Sequence, residues 1–494
     1  MIWLVGAGSG DYGLMTLRGA EVLRRADVVI YDRLIGDGIL AMIPETAEKI
    51  DAGKISGSHK ISQTQINELI IENSKSGKNV VRLKGGDVFL FGRGGEEAEA
   101  IINAGLKFEV VPGVSSAMSV PAYAGIPVTH RNFCSGVNIY TAHDKNNLIP
   151  DFDKNTLIFL MGVAHAKELQ EKLLQTLNPE TPCAIIENGT TARQRVIRTK
   201  LKLLYKSVIE NEIKSPAVIV VGEVAELNLD WRKNLPLNGK KILITRPAGR
   251  GERLAEMLRD EGAEVILMPT IKTQTLQGSL DGKNLTGYDW IGFTSVTGVE
   301  SFFELLSESD RDIREIGTAK IAAIGSATEA ALKNHGLRVD YVPEIFDVKN
   351  LTEGLKKLSG KILLLRALNG VPEKSFFDEI CIYKIDVLKL TKIPKIDIVI
   401  FTSASTVRGF LLNVKSVKDT CEGVTAVCIG EQTAEEARRV EFFDKIIIAK
   451  CASVDAVFDV VMKVFSPHTW GSLYPSINFG TKKNFYYGGI NFLS

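Results

Sequence analysis

Val80–Glu99, VVRLKGGDVFLFGRGGEEAE, is the stretch that decides the fold. It begins as an apolar, strand-forming run that stops at Gly85-Gly86-Asp87, and a second glycine cluster at Gly92–Gly95 leads into an acidic, alanine-rich helix. Glycines between a strand end and a helix start let the backbone approach a ligand where a β-carbon would collide. An acidic first turn also suits a helix N-terminus. A simple crossover needs fewer glycines, so we predict a ligand-binding loop.

Length, composition and charge limit the possible classes of protein. The 494 residues predict about three domains, and 45% hydrophobic with 24% charged residues is ordinary for soluble globular chains. No apolar run approaches the ~18 residues of a membrane span, and the N-terminus enters a strand with no signal-like segment before it. The six scattered cysteines lack metal-type spacing, so we expect reduced thiols, no metal site and a cytoplasmic location. The net charge of +1 gives no basic field for nucleic acid, although local arginines could still bind a polycarboxylate.

The N-terminal segment imitates a dinucleotide-binding fingerprint. It predicts a strand at Ile2–Val5, a glycine loop at Gly6–Asp11, a helix at Leu14–Arg25 and a second strand at Asp27–Tyr31. The dinucleotide motif expects a third glycine where this chain has Asp11. An acid at that point would repel the pyrophosphate that a helix N-terminus binds. A nicotinamide-dependent oxidoreductase with a two-lobed substrate domain is therefore the runner-up hypothesis.

Several motifs resemble one known family. RLKGGDxFxFGRGGEE, from Arg82 to Glu97, looks like the signature of S-adenosylmethionine uroporphyrinogen-III C-methyltransferases, which are tetrapyrrole methylases. GAGSGDYGLMT at 6–16 is similar to that family's GAGPGDxGLxT, with Ser9 in place of the usual proline. The resemblance covers 1–230 almost continuously. It implies two α/β lobes with the active cleft between them, and usually a homodimer.

The resemblance implies roles for individual residues. Asp32 is expected to accept a proton and Lys54 to donate one. Without the resemblance, Asp32 would be interpreted as an exposed acid at a strand end and Lys54 as a solvated loop lysine. His130 and Arg131 are expected to face substrate carboxylates or to cap a helix end. The residues expected to bind S-adenosylmethionine are Ser9, Gly85, Gly86, Asp87, Leu90, Ser115, Ser116, Met161, Gly189 and Ala217. The serine pair also suits a helix N-cap, and the methionine also suits a core gap.

Residues after 134 predict a second α/β unit. Its strands are expected at Val137–Thr141, Thr156–Met161, Pro182–Glu187 and Ala217–Val221. The polar segment Asn228–Gly239 then separates two periodic regions. We therefore predict a first domain at 1–230 with lobes 1–134 and 135–230, a linker at 231–238, and a second domain at 239–465.

The second domain contains an internal repeat. GKKILITR at 239–246 recurs as GKILLLR at 360–366, YDWIGFTS at 288–295 as IDIVIFTS at 396–403, and IAAIGSAT at 321–328 as AVCIGEQT at 426–433. An ordered repeat predicts two similar α/β lobes whose strand ends face a ligand-binding crevice. The residues expected to cap the helices that follow are Ser295, Ser326, Ser403 and Thr433.

The order of these segments resembles uroporphyrinogen-III synthase, with TRP early and TSxxxVxxF and IGxxT twice each. In that family the lobes are cross-threaded, which implies one lobe from 239–272 with 386–465 and another from 273–385. Tyr383 falls where the family has a tyrosine thought to assist departure of water, or else it is a packed strand residue. The segment between Arg366 and Phe376 departs from the family's glycine-rich loop. Candidate substrate contacts are Thr294, Ser295, Thr402, Ser403 and Ser405.

Both resemblances together imply a bifunctional enzyme of tetrapyrrole biosynthesis. The second domain would close hydroxymethylbilane to uroporphyrinogen III, inverting the last ring and losing water. The first would then methylate the product at C2 and C7 with S-adenosylmethionine, giving precorrin-2 without a metal. The expected partners are small tetrapyrroles and a second copy of the chain through the methylase domain, with no nucleic acid or membrane. A methylase fused to a two-lobed ligand sensor is the third hypothesis, and 466–494 is predicted to be a poorly ordered tail.

Overall fold

The computed structural model describes residues 1–53, 61–141, 155–368, 376–390, 392–414, 423–441 and 443–465. Within these ranges the strands form four five-stranded sheets connected by helices, so the predicted α/β class with two-lobed halves is confirmed. Lys54 and the predicted tail at 466–494 lie outside the described residues. None of the helices in the described ranges is long and apolar enough to cross a membrane.

The first sheet is parallel throughout, with strand order β3-β2-β4-β1-β5. Its strands are β1 (Ile2–Gly6), β2 (Val28–Tyr31), β3 (Glu48–Asp51), β4 (Val80–Lys84) and β5 (Phe108–Val111), and its helices are α1 (Leu17–Leu23), α2 (Asp37–Leu40), α3 (Gln63–Lys75), α4 (Gly94–Asn103) and α5 (Ser116–Tyr123). Side chains of β1 alternate between two buried clusters, with Trp3 and Val5 in one and Ile2 and Leu4 in the other. Both faces of the sheet are therefore covered, as parallel sheets require.

The predicted helix at Leu14–Arg25 is wrong in its first turn. Asp11 accepts the N–H of Gly13 at 2.7 Å and begins a separate 3-10 turn at Tyr12–Leu14. Thr16 accepts the N–H of Gly19 at 3.1 Å and begins α1 at Leu17. The two side-chain caps therefore divide into two helical segments a stretch that its apolar pattern predicts to be one helix.

The second sheet is mixed, with strand order β6-β7-β10-β8-β9. Its elements are β6 (Val137–Thr141), β7 (Thr156–Leu160), α6 (Ala166–Leu173), β8 (Pro182–Glu187), β9 (Arg195–Lys200), α7 (Leu204–Glu210) and β10 (Ala217–Val221). Four of its strands match the predicted ones to within a residue. The sequence did not predict β9, which lies antiparallel to β8 at the edge of the sheet.

Residues 241–465 contribute two more sheets, of order β12-β11-β18-β19-β20 and β13-β17-β16-β14-β15. The strands are β11 (Lys241–Ile244), β12 (Glu264–Leu267), β13 (Ile271–Thr275), β14 (Trp290–Phe293), β15 (Lys320–Ala323), β16 (Ile362–Ala367), β17 (Asp378–Val387), β18 (Ile398–Phe401), β19 (Thr425–Cys428) and β20 (Lys445–Ile448). The helices are α8 (Glu252–Asp260), α9 (Val296–Glu308), α10 (Ser326–Asn334), α11 (Val348–Lys356), α12 (Ala404–Asn413), α13 (Glu431–Arg438) and α14 (Val454–Phe465).

The repeated segments occupy equivalent positions in these two sheets. In one sheet β11, β18 and β19 are neighbours, and in the other β16, β14 and β15 are neighbours in the same order. The first copy of one segment thus shares a sheet with the second copies of the other two. The chain therefore passes from one lobe to the other and back.

Only two of the four predicted helix caps are formed. Ser295 accepts the N–H of Gly298 at 2.9 Å and Ser403 accepts the N–H of Thr406 at 3.3 Å. The prediction is wrong for Ser326 and Thr433, because α10 and α13 begin directly after Gly325 and Gly430 and neither has a side-chain cap. In both IGxxT segments the glycine occupies the N-cap position.

Candidate functional site

Three loops meet at the carboxyl edge of the first sheet. Gly8 and Gly86, which follow β1 and β4, exchange backbone hydrogen bonds of 3.1 and 2.7 Å. A β-carbon on Gly113, which follows β5, would lie 2.2 Å from the carbonyl oxygen of Gly86. A β-carbon on Gly6 would lie 2.5 Å from the backbone nitrogen of Gly113. These glycines are therefore required for the loops to pack backbone against backbone.

Asp87 holds this loop cluster together. One carboxylate oxygen accepts the N–H groups of Phe89 and Leu90 at 2.9 and 3.0 Å, and the other accepts that of Gly113 at 3.2 Å. Partial burial opposes ionisation, but these backbone N–H groups outweigh it and lower the pKa of Asp87. Asp87 thus joins the loop after β4 to the loop after β5. Contact between Asp87 and the cofactor stays a prediction.

The second sheet brings three predicted cofactor residues to one edge. Met161 directly follows β7, Gly189 comes two residues after β8, and Ala217 begins β10. In the antiparallel register Ala217 lies opposite Glu187, and the next residue of β10 lies opposite Leu160. A β-carbon on Gly189 would lie 2.4 Å from a methyl carbon of Val120 in α5. This edge therefore packs directly against the first lobe.

A hydroxyl network joins the two lobes at Ser9. The Ser9 and Ser119 hydroxyls lie 2.7 Å apart, and the Thr190 hydroxyl donates to the carbonyl oxygen of Ser9 at 2.9 Å. The N–H of Asp11 donates to the same Thr190 oxygen at 3.3 Å. The Ser9 hydroxyl also donates to the Thr190 hydroxyl at 3.4 Å, a side-chain contact between the lobes that a proline could not make.

Strained backbone is concentrated around the same edge. Met161, Asn188 and Thr190 have φ values of 57°, 49° and 67°, in the left-handed region that non-glycine residues seldom adopt. Such strain costs about 1–3 kcal/mol per residue and is commonly found at ligand sites. Met161 is also exposed, so the core-gap alternative for this methionine is wrong.

Asp32 is paired with a buried charge cluster that the sequence did not reveal. Its carboxylate lies 2.5 Å from the guanidinium of Arg82, which is fully buried in β4. Arg82 also donates to Glu97 at 3.0 Å, and Lys84 approaches both oxygens of Glu97 at 2.9 and 3.0 Å. The interpretation of Asp32 as an exposed strand-end acid is wrong, because its side chain is half-buried with a fixed partner.

The surroundings of the cluster shift the pKa values of its two cations in opposite directions. Burial by itself would lower the pKa of Arg82, but the charges of Asp32 and Glu97 outweigh burial and raise it. Burial lowers the pKa of Lys84, and the neighbouring Arg82 lowers it further. The two cations and two anions cancel, and Asp32 is the member that reaches the cleft.

The other predicted residues of the first half lie around this cleft with different partners. Ser115 accepts the N–H of Ala117 at 3.2 Å and caps α5. Leu90 packs against the apolar cluster between α5 and the second sheet. His130 lies in the loop after α5 with its ring 4.8 Å from that of Phe133. Arg131 is exposed. Their roles in binding cofactor or substrate stay predictions.

At the predicted crevice of the second half, Tyr383 is a buried residue with a polar group. The Tyr383 and Ser295 hydroxyls lie 2.8 Å apart, and Ser295 also caps α9. Burial raises the pKa of Tyr383, so this phenol stays protonated near neutral pH. Across the crevice Arg250 donates to Thr297 at 2.8 Å, which brings the two lobes into contact.

The other predicted contacts lie at strand ends of the same two lobes. The Thr294 hydroxyl donates to the carbonyl oxygen of Leu365 at 3.1 Å. The hydroxyls of Ser403 and Ser405 lie 2.8 Å apart beyond β18, directly after Thr402. Binding of substrate by these residues stays a prediction.

Sequence reasoning missed the cations of this crevice. Arg246 follows β11 and is half-buried, and no ion pair within 4 Å is found for it in the described part of the chain, although the charge of Glu252 acts on it from farther away. Burial lowers the pKa of Arg246, and nearby Arg250 lowers it further. Arg246 belongs to the TRP motif, so this cation could have been identified from the sequence. An arginine pair without a close carboxylate partner suits an anionic ligand.

Comparison with known proteins decides the family. The tetrapyrrole (corrin/porphyrin) methylase family matches residues 1–204, and the uroporphyrinogen-III synthase HemD family matches residues 252–459. The porphyrin biosynthesis protein HemD of Ruminiclostridium josui is 40% identical over 93% of this chain and 97% of that protein. This chain belongs to both families. It is an enzyme of tetrapyrrole biosynthesis with a methyltransferase and a synthase in one polypeptide.

Other relatives align with part of the chain. The uroporphyrinogen-III C-methyltransferase of Bacillus subtilis is 36% identical over 69% of this chain and 72% of that protein. Siroheme synthase 1 of Aeromonas hydrophila is 46% identical over 47% of this chain and 51% of that protein. The solved uroporphyrin-III C-methyltransferase of Thermus thermophilus covers 45% of this chain and 94% of its own, with 37% identity and a TM-score of 0.40.

S-adenosylmethionine is the methyl donor of the methylase, and the loop cluster suits it. The loops expected to line the donor site meet at glycines where added β-carbons would collide with backbone atoms, so main-chain groups lie at the cleft. No group of three or more His, Cys, Asp or Glu residues that could hold a metal is found in the described ranges.

Proposed function

We propose that the synthase domain converts hydroxymethylbilane to uroporphyrinogen III with ring inversion and loss of water. The methylase domain then methylates this product at C2 and C7, giving precorrin-2. The observation that carries the proposal is a relative aligned over 93% of the chain, together with matches to both families in that order. The oxidoreductase and ligand-sensor hypotheses have no comparable support. We also propose a homodimer through the methylase domain and a cytoplasmic location.

In the methylase, Asp32 is the proposed proton acceptor. S-adenosylmethionine supplies an electrophilic methyl group to a nucleophilic ring carbon, and the macrocycle then loses a proton. Arg82 holds the Asp32 carboxylate at 2.5 Å from the interior side, so the carboxylate is kept at the cleft end of β2. The proposed donor, Lys54, lies outside the described residues.

In the synthase, restraint of the substrate is the proposed main contribution of the protein. A linear tetrapyrrole carries many carboxylates, and Arg246 with Arg250 supplies the cations that would bind them. The Tyr383 phenol keeps its proton because burial raises its pKa, so it can donate to a departing hydroxyl group. Ser295 fixes the position of that phenol.

Product analysis tests both reactions at once. The full chain supplied with hydroxymethylbilane and S-adenosylmethionine should give a dimethylated type III product, identified by mass and isomer analysis. Without S-adenosylmethionine, uroporphyrinogen III should accumulate. Exclusive formation of the uninverted isomer would refute the synthase reaction, and unmethylated product in the complete mixture would refute the methylase reaction.

Replacing Tyr383 by Phe tests the synthase site. Because the phenol is the proposed donor, kcat for ring closure should fall about 10²-fold or more, and methylation of supplied uroporphyrinogen III should be unchanged. Tyr288→Phe is the control, since Tyr288 is a tyrosine of the same lobe that pairs with exposed Asp378 at 3.0 Å. Equal synthase rates in the two variants would show that Tyr383 serves only packing.

A further inference from the structure

The methylase and synthase domains are joined by a charged contact, here called the joint. It consists of Asp37, Ala192 and Arg193 on the methylase side and of Lys241, Glu264 and Asp397 on the synthase side. The Lys241 ammonium lies 2.6 Å from Asp37 and 2.9 Å from Glu264. The second oxygen of Glu264 accepts the N–H of Ala192 at 2.8 Å. One synthase lysine and one synthase glutamate therefore hold two separate methylase segments.

A second pair of contacts reinforces the joint. Asp397 accepts a hydrogen bond from the Arg193 guanidinium at 2.8 Å with one oxygen. Its other oxygen accepts the backbone N–H of Lys241 at 2.7 Å. Lys241 is mostly buried, with 13% of its side chain exposed. Burial favours the neutral amine, but the charges of Glu264 and Asp37 outweigh it and raise the pKa of Lys241, so the contact stays ionic.

Both methylase segments of the joint continue directly from the methylase site. Asp37 begins α2, shortly after Asp32, and a β-carbon on the preceding Gly36 would lie 2.0 Å from the carbonyl oxygen of Gly10. Ala192 follows the Thr190 segment that hydrogen-bonds to Ser9. A third contact leads to the same loop, because the Arg259 guanidinium lies 4.0 Å from the ring centre of Tyr12.

We propose that the synthase domain is a structural part of the methylase site, with Lys241 as a positioning residue. Through Asp37 and Glu264, Lys241 holds the Asp32 segment and the Ser9–Thr190 link in their places for methyl transfer. This inference rests on the proposed methylase reaction. Tight packing of Gly36 against Gly10 transmits a displacement of α2 to the glycine loop, since little free space separates their backbones.

The same geometry predicts that the synthase reaction is insensitive to the joint. Lys241 begins β11 and Asp397 immediately precedes β18, whereas the crevice residues Arg246 and Thr402 follow the other ends of these strands. Strands advance about 3.3 Å per residue, so the joint and the crevice lie about 15 Å apart along the sheet. Loss of the joint should therefore affect one activity and not the other.

A double-mutant cycle in the full chain tests the proposal. Lys241→Met and Asp37→Asn should each lower kcat/KM for methyl transfer to supplied uroporphyrinogen III about 3- to 30-fold, and the double variant should be no worse than the worse single. Ring closure of hydroxymethylbilane should keep the parent rate in all three variants. Lys241→Arg should retain most of the methyl transfer rate.

Lys361→Met is the matched control, because Lys361 forms an exposed pair with Asp378 at 3.1 Å away from the joint. Methyl transfer at the parent rate in Lys241→Met would overturn the proposal, as would equal losses of both activities. Strictly multiplicative losses in the double variant would also overturn it. Absence of methyl transfer in the parent protein would instead refute the proposed function.

Discussion

Asp32→Asn is expected to lower kcat for methyl transfer about 10²- to 10⁴-fold, the usual contribution of a positioned proton acceptor. Asparagine has nearly the same shape and can still accept a hydrogen bond from Arg82, so the cleft should keep its form. It cannot take up a proton at neutral pH. Affinity for S-adenosylmethionine, measured by calorimetry, should stay close to that of the parent protein.

Asp27→Asn is the control for this result. Asp27 immediately precedes β2 at its opposite end, where its carboxylate accepts the N–H of Asn79 at 2.7 Å. It therefore tests loss of a structural acid on the same strand, away from the cleft. A parent-like kcat in Asp32→Asn would remove Asp32 from the mechanism. Loss of S-adenosylmethionine binding in the same variant would assign Asp32 a structural role instead.

The sequence predicted the central strands of each sheet because their signal is local. Pro182–Glu187 and Ala217–Val221 match the structure to the residue. Strands buried on both faces appear in sequence as continuous apolar runs. The two strands missed in the first half, β3 and β9, both lie at sheet edges and carry charges, as in EKID and RVIRTK. Edge strands commonly carry charges that prevent further pairing, and these charges conceal them in the sequence.

The sequence also indicated where the methylase cleft would be, but not what surrounds Asp32. Arg82 and Glu97 belong to different elements, and no local pattern shows that they touch. One signal was present. Arg82 and Lys84 point to the same face of a buried strand, since side chains alternate with a period of two. Two cations on a buried face require an anion, and Glu97 in the next helix supplies it.

The strained and cross-lobe parts of the site depend on tertiary contacts. The left-handed conformations of Met161 and Thr190 cannot be predicted from residue type, because neither residue is a glycine or an asparagine. Gly189, between the left-handed residues Asn188 and Thr190, packs directly against Val120 of α5. The domain limits stay predictions. The roles of Asp32 and Tyr383 are also predictions, and the variants above test them.

Glu97→Gln is expected to have the largest effect on stability, lowering the free energy of unfolding by about 3–5 kcal/mol. Glu97 is fully buried and contacts two cations and the Gln63 amide. A neutral amide would leave Arg82 and Lys84 with Asp32 as the one remaining anion of the cluster. Hydrogen exchange of peptides covering β4 and α4 measures the change where it occurs.

Glu96→Gln provides the matched control, since Glu96 is the adjacent residue of the same helix but forms an exposed pair with Arg93 at 2.5 Å. An exposed pair contributes about 0–1 kcal/mol. Adding Lys84→Met to Glu97→Gln should restore part of the lost stability, because it removes one of the unbalanced buried charges. If Glu97→Gln were no less stable than Glu96→Gln, or if Lys84→Met made it still less stable, charge balance would not be what holds Arg82 against Asp32.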